Sequence, residues 1–379
     1  MKFYGDFKLG VLGGGQLGRM LIQVATDLNI DIYCLDPDAS APCANLAKGF
    51  EVGSLVDFDT VYQWGRNKDL ITIEIEEVNV EALDKLQSEG IKVFPQPEVI
   101  RIIQDKRVQK QFYKDKKIPT ADFILTDSIQ EIKNNSAFLP AFQKLGRSGY
   151  DGRGVQRLET IEDLPKALDG LSLLEKKVDY QKEISVIVAR NEKGEVSAFP
   201  VVELVFHPVH NLVEYLFAPA TLTEVQTKKA TEIAIRVITE LNMVGLLAVE
   251  MFLDKNGEIL VNEVAPRPHN SGHQSIEANF TSQFEQHLRA ILNLPLGSTK
   301  QIMPAAMINL LGEAGFSGAS QYEGLEEALS IEGVYIHLYG KKDTKPFRKM
   351  GHITITDFNF QSLKDKVEKV KKLVKVISI

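Results

Sequence analysis

Lys8-Leu9-Gly10-Val11-Leu12-Gly13-Gly14-Gly15-Gln16-Leu17-Gly18 decides how the chain begins. Residues 8–13 read as a short buried strand, the glycines as a turn, and the apolar spacing that follows as a helix to about residue 28. A second strand at 30–35 completes a βαβ unit. Working outward, 59–66 and 79–89 read as helices, 70–75 and 91–94 as strands, and Pro95 and Pro97 punctuate the end. The first 100 residues or so are therefore predicted to be α/β, with a Rossmann-like parallel sheet. Gly13-x-Gly15-x-x-Gly18, with Asp36 ending the next strand, has the form and context of a dinucleotide-binding fingerprint. Its physical content is narrower. Glycines let a backbone approach a ligand and the helix N-terminus offers N–H groups to an anion, so a phosphate of any small molecule would suit, as would a turn that only packs helix on strand.

At 379 residues, the chain should hold two to three domains. Hydrophobic residues at 44% and charged residues at 25% are ordinary for a globular protein and exclude a disordered one. The net charge of −7 argues against attraction to nucleic acid or an anionic membrane, so any anion must be held locally. Cys34 and Cys43 are too few for a disulfide framework or a four-cysteine zinc site, and read as buried hydrophobes. With no leader-like apolar start and no membrane-length apolar run, the expected compartment is the cytoplasm.

Three units are predicted: 1–104, a smaller one at 105–197, and 198–379. The second contains a helix, short strands, a glycine-rich loop at 146–154 and an apolar stretch at 184–189. The third has a long helix at 223–241, a β-hairpin at 245–264, a loop rich in Pro, His and Asn, and a helix at 280–292. Strands follow near 305–311, 334–338 and 351–356, then a helix from about 361 whose lysines, Lys364 through Lys375, make a solvated face over an apolar stripe.

Four motifs outside the first turn could carry chemistry. Between Lys144 and Gly154 stand four glycines and the cations Lys144, Arg147 and Arg153, a donor-rich cover for a triphosphate or, more plainly, a flexible hairpin; the spacing is neither that of a P-loop nor of a kinase loop. In the hairpin, a two-residue turn at Asn256-Gly257 pairs residue 255 with 258 and so sets Glu250 opposite Glu263. Facing carboxylates repel unless compensated. A hard cation such as Mg²⁺ would compensate them, with Asn262 adding a neutral oxygen; splayed, solvated side chains are the alternative. Third, Pro266-Arg267-Pro268-His269-Asn270-Ser271-Gly272-His273 holds a guanidinium near that pair, and its prolines and glycine argue against a helical zinc-binding His269/His273 pair. His207 and His210, around Pro208, are left as loop residues. Last, Glu76 stands where a parallel strand would end, the usual place for a ligand in such a sheet, although an edge strand with one wet face would explain it too.

Taken together, GGGQLGRM at 13–20, TIEIEEV at 72–78, GYDGRG at 149–154, LLEKKVDYQKEIS at 173–185, VNEVAPRPHNSGH at 261–273 and KPFRKMGH at 345–352 resemble the ATP-grasp superfamily and, within it, the N5-carboxyaminoimidazole ribonucleotide synthetases. The resemblance covers nearly the whole chain, and departs at Gln274, where an aromatic would be expected. It implies a Rossmann-like N-terminal domain, a small lid and a C-terminal α+β domain, with ATP between the last two. ATP would be held by Lys106, Lys144, Gly149, Tyr150, Asp151, Gly152, Arg153, Gly154 and Val155 on its phosphate side, and by Glu175, Lys176, Lys177, Val178 and Glu183 on its adenosine side. Glu250, Glu263 and Asn262 would hold Mg²⁺, with Asn262 and Glu263 also meeting the nucleotide. Bicarbonate would attack the γ-phosphate to give carboxyphosphate, near Arg267, His269 and Asn270 as catalytic residues. Aminoimidazole ribonucleotide would touch Gly15, Gln16, Leu17, Glu76, Tyr150, Asp151 and Arg153, with its phosphate on Lys342 and Arg348. The resemblance also implies a homodimer. Rival readings are a formate-using glycinamide ribonucleotide formyltransferase, an NAD-dependent oxidoreductase resting on the glycine turn alone, and a nucleotide sensor without turnover.

Overall fold

The computed structural model describes residues 5–147, 154–206 and 213–379. Gly149–Arg153 of the glycine-rich loop, with His207 and His210, lie outside them.

The first unit is the expected parallel sheet. Strands β1 (Lys8–Leu12), β2 (Asp31–Asp36), β3 (Gly49–Val52), β4 (Leu70–Ile73) and β5 (Lys92–Val93) stand in the order β3-β2-β1-β4-β5, all pairings parallel. Helices α1 (Gln16–Asp27), α2 (Phe58–Gly65) and α3 (Val80–Ser88) cover its faces, which is why β1 beyond Lys8, and all of β4, are buried. Asp57 and Asn79 cap α2 and α3 by accepting from backbone N–H groups three residues on. Pro97 opens α4 (Pro97–Gln104), and Asp105 ends it while capping α5 (Lys106–Asp115).

The lid is a four-stranded antiparallel sheet of β6 (Phe123–Thr126), β7 (Ala141–Leu145), β8 (Val155–Leu158) and β9 (Ser172–Lys176), in the order β6-β9-β7-β8, with α6 (Ile129–Asn134) packed on it through Ile132. The apolar 184–189 stretch, expected in this unit, belongs elsewhere. It is the middle of β10 (Tyr180–Arg190), a strand paired along most of its length with β14 (Gly245–Asp254), because its continuous buried run packs on both faces into the third unit's cores.

Around β10 gather β11 (Val196–Ala198), β12 (Val202–Phe206), β13 (Val213–Ala218), β14, β15 (Ile259–Ala265), β16 (Ala305–Leu311), β18 (Val334–Leu338) and β20 (Lys349–Thr356), a nine-stranded sheet among the described residues. α7 (Glu224–Glu240), opened by a Thr223/Gln226 capping box, packs on one face. α8 (Ser275–Ala278) and α9 (Gln283–Ile291) follow the hairpin, and Phe284, Leu288 and Ile291 of α9 share a core with α1 and β1. That shared core fixes the first unit against the third. The end of the chain adds β17 (Gly318–Glu323), α10 (Leu325–Leu329), β19 (Asp343–Thr344), α11 (Phe360–Leu373) and β21 (Lys375–Ser378), with β17, β19 and β21 forming a three-stranded sheet. The final helix is shorter than its lysine pattern suggests, since Lys375 begins β21, which pairs with β17. Among the described residues no helix is long and apolar enough to cross a membrane.

Candidate active site

The hairpin of β14 and β15 builds the centre. Its turn is one residue longer than predicted: Leu253 pairs with Ile259, and Asp254 caps the loop by accepting from the N–H groups of Asn256 and Glu258, both at 2.8 Å. This shift would have carried Glu250 out of register with Glu263. A bulge between Met251 and Glu250 absorbs Asn262 and restores the pairing, so Glu250 does face Glu263. The expected pair is present for a reason the turn sequence did not contain. The bulge also brings two successive side chains to one side, Asn262 Oδ1 receiving a hydrogen bond from Lys144 at 3.1 Å and Glu263 one from Lys106 at 3.4 Å.

The charges in this space are unequal. Burial, then the Glu263 and Glu183 carboxylates, push Glu250 up to about 8. Burial would raise Glu263 as well, but Lys106 and Lys144 hold it below the usual range. One acid is thus ionised and the other poorly compensated, which suits a hard cation. Among the described residues no cluster of three or more His, Cys, Asp or Glu side chains could cage a metal. A cation at the pair would therefore complete its shell with Asn262, water and ligand oxygens, the habit of Mg²⁺.

Two lysines flank the acids. Lys144, on β7, also binds Glu175 at 2.7 Å, and Glu175 is paired on its other oxygen with the buried Lys110 of α5. Burial alone would raise Glu175, but Lys144 and Lys110 keep it ionised. Lys110 carries no motif, and it was missed. Of the adenosine-side candidates, Glu175, Lys176, Lys177 and Val178 run from the end of β9 to the start of β10. Glu175 is buried, while Lys176 turns back to the Phe138 carbonyl at 3.0 Å and Lys177 outward to Glu159 at 3.4 Å. Glu183 lies on β10, raised by burial. Val155 starts β8 opposite Lys144, and Gly154, at φ +68°, turns into it.

The loop after β15 wraps the acids. Arg267 reaches Glu76 at 2.9 Å, and His269 Nε2 lies 3.5 Å from Glu250. Burial, then Arg267, keep the His269 imidazole neutral, its basicity far below normal. Asn270 forms a reciprocal amide pair with Asn309 of β16, at 2.8 and 3.0 Å, which fixes its orientation. His269 and His273 belong to no cluster of three or more His, Cys, Asp or Glu that could hold a metal among the described residues, and their Nδ1 atoms are engaged by Ser271 and Gln283 respectively.

At the glycine turn the structure differs most from expectation. Glu74, one residue past β4, is half-buried with its carboxylate against the start of α1, accepting from the N–H groups of Gly15 and Gly18. A Cβ on Gly13 would lie 2.6 Å from Glu74 Cγ. The anion at this helix N-terminus is the protein's own, so a dinucleotide phosphate would have to displace a half-buried side chain. Asp36 likewise accepts from Gly14 N–H at 2.7 Å. Of the candidate substrate contacts, Gly15 caps α1, Gln16 is half-buried and Leu17 is buried. Burial pushes Glu74 up to about 7, its amide hydrogen bonds notwithstanding.

Lys342 is exposed, whereas its neighbour Lys341 turns inward, where burial and Arg348 lower it to about 8 and Glu74 opposes that shift. Arg348 is half-buried and donates to the Asp343 carbonyl at 2.7 Å. Sequence reading chose Glu76 and Lys342. The choice between Glu74 and Glu76, two residues apart, and between the adjacent Lys341 and Lys342 turns on which way each side chain faces, which the sequence does not contain.

Residues 7–104 match the ribonucleotide synthetase preATP-grasp domain, 111–284 the ATP-grasp domain, and 305–366 the phosphoribosylaminoimidazole carboxylase C-terminal domain. The chain is 40% identical to the chloroplastic phosphoribosylaminoimidazole carboxylase of Vigna aconitifolia over 94% of its own length, but spans only 65% of that longer relative. It is 36% identical to the N5-carboxyaminoimidazole ribonucleotide synthase of Bacillus subtilis, covering 91% of this chain and 90% of that one. The solved N5-carboxyaminoimidazole ribonucleotide synthetase of Thermotoga maritima superposes with a TM-score of 0.91 at 43% identity, over 98% of this chain and all (100%) of the other. An Aspergillus clavatus structure, solved with ADP and 5-aminoimidazole ribonucleotide, has a TM-score of 0.86 at 34% identity over 97% and 98% of the two chains. Fold, acid pair and three successive domain matches agree, and the chain belongs to the N5-carboxyaminoimidazole ribonucleotide synthase family of ATP-grasp enzymes.

Proposed function

We propose that the protein carboxylates 5-aminoimidazole ribonucleotide at its exocyclic amine, consuming ATP and bicarbonate and releasing ADP and phosphate, a step of purine biosynthesis. The observation that carries this reading is the Glu250–Glu263 pair, set between Lys106 and Lys144 on one side and the Arg267–His269 loop on the other. Glu250, Glu263 and Asn262 would hold Mg²⁺, which when bound neutralises charge on the nucleotide phosphates.

Lys106 and Lys144 then neutralise phosphate oxygens, and Lys110, by compensating Glu175, keeps Lys144 in place. A bicarbonate oxygen attacks the γ-phosphorus as the bridging bond to ADP breaks, giving carboxyphosphate. Arg267, which pairs with Glu76 beside the acids, would stabilise the charge that gathers on the transferring group. The exocyclic amine next bonds to the carboxyl carbon, directly as the C–O bond to phosphate breaks or as CO₂ freed from carboxyphosphate, and its surplus proton passes to the departing phosphate. Glu74, Glu76 and Lys341 border the space between the first and third units, and suit the amine, hydroxyls and phosphate of the ribonucleotide. Tyr150, Asp151 and Arg153 remain candidates by family resemblance. The reading extends to a homodimer, again by resemblance, and to the cytoplasm, where two free buried cysteines are at home.

ADP release measured with aminoimidazole ribonucleotide and bicarbonate, each omitted in turn, tests it. Release should require both; stimulation by formate and glycinamide ribonucleotide instead would refute it.

A further inference from the structure

We propose that Ser271 and Ser185 are positioning residues that lock His269 in one tautomer, with its proton on Nε2, so that the ring meets the reacting groups as a hydrogen-bond donor rather than as a base. The first observation is backbone geometry. The N–H of Ser271 lies 3.3 Å from His269 Nδ1, and a peptide N–H can only donate, so Nδ1 must present a lone pair. In a neutral imidazole the proton is then on Nε2.

The second observation is a buried hydroxyl chain that reinforces the first. Ser271 Oγ lies 2.9 Å from the same Nδ1 and 2.9 Å from Ser185 Oγ. Ser185 is 0% and Ser271 2% exposed, so water does not compete for these atoms. With Nδ1 accepting, the chain has one direction: Ser185 donates to Ser271, and Ser271 donates to His269. Ser185 sits on β10 directly opposite Glu250 of β14, so the rail is anchored on the rung that carries the acid. The far nitrogen, Nε2, points to Glu250 Oε1 at 3.5 Å and to the space between Glu250 and Arg267. Gln283 holds the loop from behind, accepting from His269 N–H and donating to its carbonyl, each at 2.8 Å.

A ring held this way has no lone pair facing the site. It offers one N–H to an oxygen on which negative charge gathers, which for the function proposed above is an oxygen of bicarbonate or of its phosphorylated product. That substrate identity rests on the preceding section, whereas the tautomer does not.

The test uses the full chain labelled with ¹⁵N-histidine and free of ligand, His269 being recognised by the signals missing from His269→Gln. The expected spectrum has an unprotonated Nδ1 and a protonated Nε2. Ser271→Ala should mix the two tautomers and lower kcat about tenfold with less than a twofold change in KM for ATP, because one of two Nδ1 donors remains. Ser185→Ala, one link further out, should act in the same direction more weakly, and it carries the test if Ser271→Ala folds poorly. Ser271→Thr, which keeps the hydroxyl, should recover most of the rate. A wild-type ring protonated at Nδ1, or alanine variants with unchanged tautomer and kcat, would overturn the proposal. Neither result bears on which ribonucleotide is carboxylated, which the ADP-release assay decides separately.

Discussion

Glu74 and Glu250 are both half-buried carboxylates raised by desolvation, yet they stand in different relations to the rest of the protein. Glu74 is met by backbone N–H groups at the start of α1, which offset part of its charge where it lies, although desolvation still lifts it to about 7. Glu250 faces another acid, and the nearby cations serve that acid instead. The glycine turn, which by sequence looked most like a ligand site, is filled from within. The hairpin, which looked ordinary apart from its register, holds in Glu250 an acid that among the described residues forms no ion pair with a lysine or arginine. An anion-holding motif shows where negative charge goes, and the residue across from it shows whose charge that is.

The largest effect should come from the hairpin. Glu263→Gln removes the ionised member of the pair, and turnover of ATP should fall by roughly a thousandfold or more, since a neutral amide cannot replace a carboxylate at Mg²⁺. Thermal unfolding should be little changed, because the substitution also removes like-charge repulsion. Full turnover in this variant would break the comparison at its root.

On the Glu74 side the expected loss is one of stability. Gly13 has φ +105°, and a Cβ there would meet Glu74 Cγ and, at 3.3 Å, Glu74 Cβ, neither a freely moving chain end. Gly13→Ala should cost about 3 kcal/mol in urea denaturation. A cost under about 1 kcal/mol would mean that Glu74 is not packed into the turn.

A third group has no counter-charge. His287 of α9 is tied to Thr72 of β4 at 2.9 Å through Nε2, and burial lowers it to about 4. The unfolded chain takes its proton near pH 6.5 and the folded protein only near 4, so the neutral ring's contribution is complete above 6.5 and is lost as the pH falls. By pH 5 the loss should be about 2 kcal/mol. Comparing urea midpoints at pH 7.5 and 5.0 for the wild type and His287→Gln checks this. The variant's midpoint should fall less; an equal fall would assign the acid sensitivity elsewhere.

How far the sequence could be read follows from the range of the forces involved. The βαβ start, α7 and the hairpin were legible because apolar periodicity and turn residues act locally. The bulge at Asn262 was not, since it answers to the lysines at 106 and 144. Glu74 escaped notice for a similar reason: its partners lie 56 residues earlier in the chain, at Gly18 and its neighbours. Lys110 and Ser185 read as unremarkable helix and strand residues, and only tertiary contact gives them work. The 184–189 stretch, expected in the second unit, lies in the third unit's sheet because a continuous apolar run does not name its partner.

The doublet Lys341-Lys342 sharpens the comparison on its smallest scale. Both are cations on the segment between β18 and β20, one half-buried and donating to the Lys349 carbonyl at 2.7 Å, the other exposed. A phosphate recognised by this segment should depend on the inward lysine, where partial desolvation strengthens the pairing, and hardly on the outward one, where water and salt screen it. Lys341→Ala should therefore raise KM for the ribonucleotide about tenfold with KM for ATP unchanged, and Lys342→Ala should change either by less than about twofold. Steady-state kinetics on the two variants separate the cases. If Lys342→Ala shows the larger rise, the segment turns over on binding, and the inward lysine serves to balance Glu74 rather than to meet the substrate.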